Sequence, residues 1–167
     1  TIANFETALF YTRFGNRIVG NYEIDPNKIV YDNLSGHAIS KGITANVDVN
    51  FRNGLKIIAG GTLMDVYTVE NNIQSRQLLT EKFTGTWSVS YKIEQIQLGF
   101  DYSGNVYSPM KLPLLGELDP RNPNSPWYSL QNIQFTYYGW KNFEAYAGIK
   151  NLLDFTPKKN NPFLISR

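Results

Sequence analysis

The chain has 167 residues, a formal net charge of +2, 14% aromatic residues and no cysteine. The small net charge gives no electrostatic basis for nucleic-acid binding, and the lack of cysteine excludes disulfides, thiolate metal sites and cysteine catalysis within this sequence. Eleven Tyr and ten Phe, with frequent Gly, Asn, Ser and Thr, are typical of all-β proteins.

The first third of the chain predicts two long strands. The first is predicted over residues 5–19, and residues 25–27 (Asp-Pro-Asn) predict the turn after it, because Pro presets the backbone angle and Asp and Asn tolerate turn conformations. The second strand is predicted over residues 29–51, interrupted at residues 33–36 by a bulge or a short loop.

A hairpin signal follows at residues 52–54 (Arg-Asn-Gly), since Asn-Gly between two alternating segments favours a tight turn. The returning strand is predicted over residues 55–69, with Asp65 interrupting its apolar face. Residues 70–78 are predicted to form a loop, with one helical turn over residues 74–82 as the alternative.

The clearest pattern is a hairpin over residues 81–106. Residues 83–91 carry apolar side chains at odd positions, and after a turn at Glu94 and Gln95 the apolar side chains move to even positions. The arms exceed the roughly 5–6 residues of a typical soluble strand and reach the about 9–11 residues of a strand that crosses a bilayer. The other face carries mostly Ser, Thr, Gln and Asn, which suit the polar lumen of a barrel. The residues predicted to face the lumen are Thr84, Thr86, Asp101 and Asn105.

The last third has two further strands, predicted over residues 128–138 and 143–149 and joined by a turn at 139–142. Residues 108–126 contain five prolines and are predicted to form a loop, because proline cannot donate to a strand ladder. Short turns fall at one end of the predicted sheet and long loops at the other, as in outer-membrane barrels. An odd set of about seven strands is expected to be part of a larger barrel, because single-chain bacterial barrels have even strand numbers from about 8 upward.

Several segments resemble TonB-dependent outer-membrane receptors. Residues 147–157 (Ala-Gly-Ile-Lys-Asn-Leu-Leu-Asp-Phe-Thr-Pro) are similar to the penultimate-strand motif of that family. Residues 8–11 (Ala-Leu-Phe-Tyr), residues 33–43 and the proline-rich segment 107–127 resemble further family features in the same order. Thr44 departs from the family pattern, in which a glutamate is usual.

This resemblance implies an all-β fold: a long antiparallel meander within a transmembrane barrel of about 22 strands with a plugged lumen. Residues 1–167 are then expected to be the C-terminal segment of the barrel, without the plug, the closing strand and the TonB-contacting segment. The implied partners are the TonB complex, the plug of the same full-length protein, lipid or lipopolysaccharide, and a surface lipoprotein. The expected location is the bacterial outer membrane.

The residues offer little catalytic chemistry. The single histidine, His37, is interpreted as a solvated loop residue, with a ligand contact as the alternative, and one His without Cys makes no zinc site or triad. Glu117 and Asp119 are interpreted as solvated charges rather than a catalytic carboxylate pair. We therefore expect no enzyme, metal or cofactor.

Recognition is expected at the proline-rich loop, because loops on a rigid scaffold carry binding residues. The favoured interpretation of its prolines is a compact lid that packs on its neighbours, and direct substrate contact is the alternative. The candidate contact residues are Lys111, Asp119, Arg121 and Trp127.

The function predicted from these features is energy-coupled uptake of a scarce, bulky nutrient such as an iron chelate, cobalamin or a glycan. Two alternatives remain open. One is a passive outer-membrane pore or adhesin barrel, which would have no plug. The other is a soluble β-sandwich binding module.

Overall fold

The computed structural model describes residues 1–25, 28–113 and 122–156. Within these residues the chain forms ten strands and no helix, and so contains no helix able to cross a bilayer. The strands are β1 (Ile2–Phe14), β2 (Ile18–Asp25), β3 (Lys28–Asn33), β4 (His37–Asn50), β5 (Leu55–Glu70), β6 (Ile73–Arg76), β7 (Phe83–Ile93), β8 (Leu98–Tyr107), β9 (Tyr128–Tyr137) and β10 (Ala145–Ile149).

Seven of these strands form one antiparallel meander in the order β1-β4-β5-β7-β8-β9-β10. The strand β6 pairs with the end of β5, and β2 and β3 form a separate hairpin. The connections at residues 51–54, 94–97 and 138–144 lie at one end of the sheet, the turn side, and the longer connections lie at the opposite loop side. The predicted all-β meander is confirmed.

Two predictions about the first third of the chain are wrong. The first strand ends at Phe14, and the predicted strand over residues 29–51 is divided between β3 and β4, which belong to different sheets. The break has a steric cause: Gly36 passes so close to β5 that an added Cβ would overlap the Val69 carbonyl. Leu34 lies at the same break. Its side chain is buried, and its backbone N–H donates to the Arg17 carbonyl at 2.8 Å.

The predicted loop over residues 70–78 instead contains the strand β6. Asn71 and Asn72 join β5 to β6 as a two-residue turn with positive φ angles of 49° and 63°. Asparagine tolerates this left-handed conformation better than most residues. The Asn-Asn pair was therefore the signal for the hairpin. The alternative of a helical turn over 74–82 is wrong as well.

The hairpin of β7 and β8 confirms the alternation of the sequence. Trp87 lies opposite Gly104 and Val89 opposite Tyr102, so the apolar residues of both arms share one face. The turn occupies four residues, 94–97, rather than the predicted two. Ile96 consequently lies in the turn and not in the strand.

Aromatic side chains cover several glycines within the sheet. A Cβ added at Gly104 would lie 2.5 Å from Cζ2 of Trp87, and one added at Gly61 or Gly85 would lie 3.2 Å from the ring of Phe83. An aromatic ring over a strand glycine replaces the packing that glycine lacks. Gly61 and Gly104 are thus packed by a ring from the neighbouring strand β7, and Gly85 by a ring of its own strand.

The sheet does not bury its apolar face. Phe5, Leu9 and Leu63 on that face are between 56% and 80% exposed. The buried apolar residues lie at the loop side instead. They are Leu34, Ala38, Ile39, Met110 and Leu112. An apolar surface of this extent indicates contact with lipid or with another protein.

Candidate functional site

The four residues predicted to face a lumen share one face of the sheet. Thr86 lies opposite Asn105, while Thr84 lies opposite Tyr107 on the same pair of strands. Asp101 lies opposite Ser90 and accepts a 2.7 Å hydrogen bond from its hydroxyl. The strand register thus defines a continuous polar face, opposite the apolar face of the same strands.

Polar side chains on this face bond mainly to one another. The hydroxyls of Thr44 and Thr62 are 3.1 Å apart. Asp48 accepts a 2.8 Å hydrogen bond from Asn50 and lies 3.6 Å from the Lys56 ammonium. A face held together in this way keeps its polar groups satisfied without bulk water, as the interior of a barrel requires.

One polar atom on the face has no partner among the described residues. Asn105 donates through Nδ2 to the Tyr107 hydroxyl at 3.0 Å, whereas its Oδ1 is buried and accepts no hydrogen bond. The side chain borders a pocket of about 320 Å³ that Asn132, Lys150 and Asn151 also line. Buried acceptors are normally satisfied, so this atom is an exception on an otherwise hydrogen-bonded face.

The loop side of the polar face ends in a stack of three aromatic rings. Tyr128 lies between Tyr107 and Phe155, with ring centroids 4.7 and 4.6 Å away. Asn151 holds Phe155 in place through two hydrogen bonds, from its Nδ2 to the Phe155 carbonyl at 2.9 Å and from the Phe155 N–H to its Oδ1 at 3.1 Å. The Asn of the motif at residues 147–157 therefore has a local structural function, closing the turn after β10.

The two described ends of the proline-rich loop form a rigid stem. The Leu112 N–H donates to the Pro123 carbonyl at 2.8 Å, and the Ser125 N–H donates to the Met110 carbonyl at 2.9 Å. The Ser108 hydroxyl, which is buried, accepts hydrogen bonds from two successive N–H groups at the start of β7, at 3.0 and 2.9 Å. Leu112 itself is only 2% exposed. This packing favours the compact-lid interpretation for the described part of the loop.

Lys111 is an exposed residue of this stem, opposite Asn124. It borders a pocket of about 270 Å³ together with Arg76 and Glu70. The Arg76 guanidinium donates to the carbonyls of Thr80 and of residue 109 at 3.1 and 3.3 Å and so ties β6 to the loop. The sequence did not single out Arg76, because one of its two partners, the carbonyl of residue 109, lies 33 residues away in the chain.

Of the other loop candidates, Trp127 lies among the described residues. Trp127 is 58% exposed and packs on Phe83 of the apolar face, with ring centroids 6.2 Å apart. Asp119 and Arg121, like Glu117, lie outside the described residues. The position of Trp127 is that of an interfacial aromatic residue at the rim of the apolar face.

The remaining sequence candidates add no reactive site. His37 is half-buried as the first residue of β4, opposite Val69, so its interpretation as a loop residue is wrong. No cluster of metal-ligating side chains occurs in the part of the chain that the structure describes. The chemistry that the described residues offer is hydrogen bonding on one face and apolar contact on the other.

An antiparallel meander with one exposed apolar face and one hydrogen-bonded polar face is the arrangement found in the wall of a transmembrane β-barrel. Comparison with solved structures agrees. The chain is similar in structure to the ferric-catecholate import receptor Fiu of E. coli K12, with a TM-score of 0.68 and 16% identity over 92% of this chain. It is also similar to a mutant of the ferric enterobactin receptor PfeA of Pseudomonas aeruginosa, with a TM-score of 0.59 and 19% identity over 89% of this chain.

The chain spans 21% and 23% of the length of these two receptor chains. The sequence matches no protein-family model and no curated protein. At these identities the likeness defines the fold, and the resemblance to TonB-dependent outer-membrane receptors is thereby confirmed for the fold.

Proposed function

We propose that the chain is the C-terminal part of the barrel of a TonB-dependent receptor that imports a ferric siderophore across the bacterial outer membrane. The observation that carries the proposal is the overlay of 92% of the chain on a ferric-catecholate import receptor. The exposed apolar face and the hydrogen-bonded polar face support a membrane location. Cobalamin and glycans, the other expected substrates, have no comparable support.

The polar face supports a plugged lumen rather than an open pore. Asn105 Oδ1 is buried without a partner, beside a pocket lined by polar residues. A plug domain seated in the lumen would cover this pocket and offer it further hydrogen-bonding groups. Thr84, Thr86 and Asp101 are proposed to contact the same plug.

The loop side is proposed to receive the ferric complex. Lys111 and Arg76 place two cations beside one pocket at that end of the sheet, where an anionic chelate would approach from outside the cell. The stem that holds Lys111 is rigid, which limits the entropy lost on binding. Asp119, Arg121 and Trp127 remain proposed contacts of the same loop.

Uptake of radioactive iron tests this function directly. A strain that lacks the gene and a strain that carries it are supplied with a ferric catecholate, with or without a protonophore. The expected result is gene-dependent uptake that the protonophore abolishes and that excess cobalamin leaves unchanged. Uptake that resists the protonophore would support the passive pore, and absence of uptake would refute the siderophore proposal.

A loop variant tests the recognition site. Replacing residues 114–121 by a short Gly-Ser linker retains Leu112 and the hydrogen bonds of the stem, whereas a deletion starting at Leu112 would remove a buried side chain. We expect weaker binding of the ferric catecholate with an unchanged unfolding midpoint. Unchanged affinity would remove the tip of this loop from the recognition site.

A further inference from the structure

The pocket beside Lys111 is built from three separate parts of the loop side. Its lining includes Val19 of β2, Leu34 just after β3, Glu70 at the end of β5, Arg76 at the end of β6 and Lys111 of the stem. The volume of about 270 Å³ is below the about 300–1,000 Å³ of pockets that enclose a complete small ligand. The pocket therefore suits one arm of a bulky chelate rather than the whole chelate.

Glu70 is held in a fixed orientation at this pocket. It is half-buried, and its Oε1 accepts hydrogen bonds from the Ser35 N–H at 2.9 Å and from the Ser35 hydroxyl at 3.0 Å. Its Oε2 accepts no hydrogen bond from the described residues. A carboxylate can accept more hydrogen bonds than these two. Ser35 thus orients the side chain while one oxygen is left for a ligand.

Two cations line the same pocket. Arg76 is half-buried and donates to the described residues through Nη2 alone, which leaves the hydrogens of Nε and Nη1 for other acceptors. Lys111 is exposed. No ion pair joins Glu70 to Arg76 or to Lys111 within the described residues. The pocket therefore presents both signs of charge without pairing them to each other.

This combination selects the charge pattern of a ligand. Arg76 and Lys111 attract an anionic group, whereas the Glu70 carboxylate repels it. A ligand with only negative charge would therefore meet attraction and repulsion in one pocket. A ligand that carries an anionic group and an ammonium group would complement all three side chains, and such complementarity provides specificity.

The side of the pocket that the β2–β3 hairpin forms is apolar. Val19 is half-buried there, and Leu34 is only 6% exposed. A short carbon chain can pack on these side chains while a charged group at its end reaches a polar partner. The pocket thus fits an aliphatic arm that ends in an ammonium group.

We propose that the ferric catecholate received at the loop side carries an ammonium group on one arm, and that Glu70 binds this group. Arg76 and Lys111 bind the anionic part of the same ligand, and the carbon chain of the arm lies along Val19 and Leu34. The inference rests on the siderophore function proposed above and adds the charge pattern of the substrate. Glu70 is then a specificity-determining residue, since the two cations alone would accept any anionic chelate.

Two ferric catecholates that differ at one position test this charge pattern. One arm of the first ligand ends in a free amine, and in the second ligand the same amine is acetylated. Both are titrated by fluorescence quenching against the complete polypeptide that carries this chain, purified in detergent. A charge pair at a partly exposed site changes affinity about fivefold. The unchanged protein should therefore bind the free amine about fivefold more tightly than the acetylated form.

Three variants assign the preference to one carboxylate. Glu70→Gln keeps an oxygen that can accept the Ser35 hydrogen bonds but removes the charge, so it should bind the two ligands equally. Lys111→Gln should weaken both ligands by the same factor. The matched control is Glu81→Gln, because Glu81 is also a half-buried loop-side carboxylate, accepts a hydrogen bond from the Thr84 hydroxyl at 3.1 Å and does not line the pocket. That control should retain the preference.

Equal binding of the two ligands by the unchanged protein would overturn the inference, as would a preference that survives Glu70→Gln. Loss of the preference in Glu81→Gln would also overturn it, because that result would indicate a general charge effect. The iron-free ligands are titrated in parallel, and iron uptake is measured separately. A receptor that imports no ferric catecholate would refute the siderophore function, while the preference between the two amines would still decide the role of Glu70.

Discussion

Substitution of Val89 by arginine tests which face of the sheet contacts lipid. Val89 lies on the apolar face, opposite Ile57 on one side and Tyr102 on the other. It is four residues from Ile93 at the turn-side end of β7, about 13 Å along the strand. At a tilt of about 40° this places Val89 about 10 Å above that edge, near the middle of an apolar band about 25 Å high.

An arginine at that depth should lower the free energy of unfolding by about 2–4 kcal/mol. Two matched variants separate face from depth. Ser88→Arg places the same charge one residue away on the polar face, and Ile93→Arg places it on the apolar face near the interface, where the cost falls to about 0–1 kcal/mol. We expect both controls to cost less than about 1 kcal/mol, since each charge reaches polar surroundings.

The assay is urea unfolding in phospholipid vesicles, followed by tryptophan fluorescence, with all three variants measured in one lipid. A Ser88→Arg variant that loses as much stability as Val89→Arg, or more, would refute the assignment of faces. Equal losses at Val89 and Ile93 would instead indicate that the apolar face packs on protein, because a protein interface has no depth profile of this kind.

Three local features carry further predictions, each measured as a change in unfolding free energy. Gly104→Ala should cost about 1–3 kcal/mol, because the new Cβ would displace the Trp87 ring, and the fluorescence of Trp87 should change. Gly15→Ala is the control: the space around its Cβ is open, so it should change neither the stability nor the fluorescence. Asn151→Ala removes two hydrogen bonds that close the turn after β10 and should cost about 1–3 kcal/mol. An unchanged unfolding midpoint would show that these hydrogen bonds do not stabilise the protein. Ser108→Ala leaves two N–H groups without their acceptor and should cost about 1–3 kcal/mol; a neutral result would mean that water replaces the hydroxyl.

The alternation of residues predicted the long paired strands of the sheet and the two faces that they present. In β7 and β8 each apolar residue must stay on one face, and a shift by one position would move all of them to the other face. The register is therefore encoded in the sequence itself, as the pairs Trp87–Gly104 and Val89–Tyr102 illustrate. The same reasoning placed Thr84, Thr86, Asp101 and Asn105 together on the polar face.

The strands that were predicted wrongly lie on the loop side, whereas on the turn side the turn at residues 94–97 is longer than predicted. The strands β2, β3 and β6 lie beyond the apolar band, where alternation is no longer required because both faces meet polar surroundings. Their positions depend instead on turn chemistry, as at Asn71 and Asn72, and on a tertiary contact, as at Gly36. Arg76 was missed for the same reason, since the fold alone brings it to the carbonyl of residue 109, which is 33 residues away in the chain.

This division between the two ends follows from how each is stabilised. Along β7 and β8 the apolar side chains are half-exposed and the backbone groups are paired in ladders, so in the proposed membrane location stability would depend on the lipid that covers the face. At the loop side, Leu112 and Met110 are buried and the Ser125 hydroxyl accepts a hydrogen bond from the Met110 N–H at 3.0 Å, as in a small water-soluble core. A change of loop sequence therefore disturbs a packed unit that the ladder of the sheet does not need. The loop side, where recognition is proposed, could vary while the sheet that carries it stays the same.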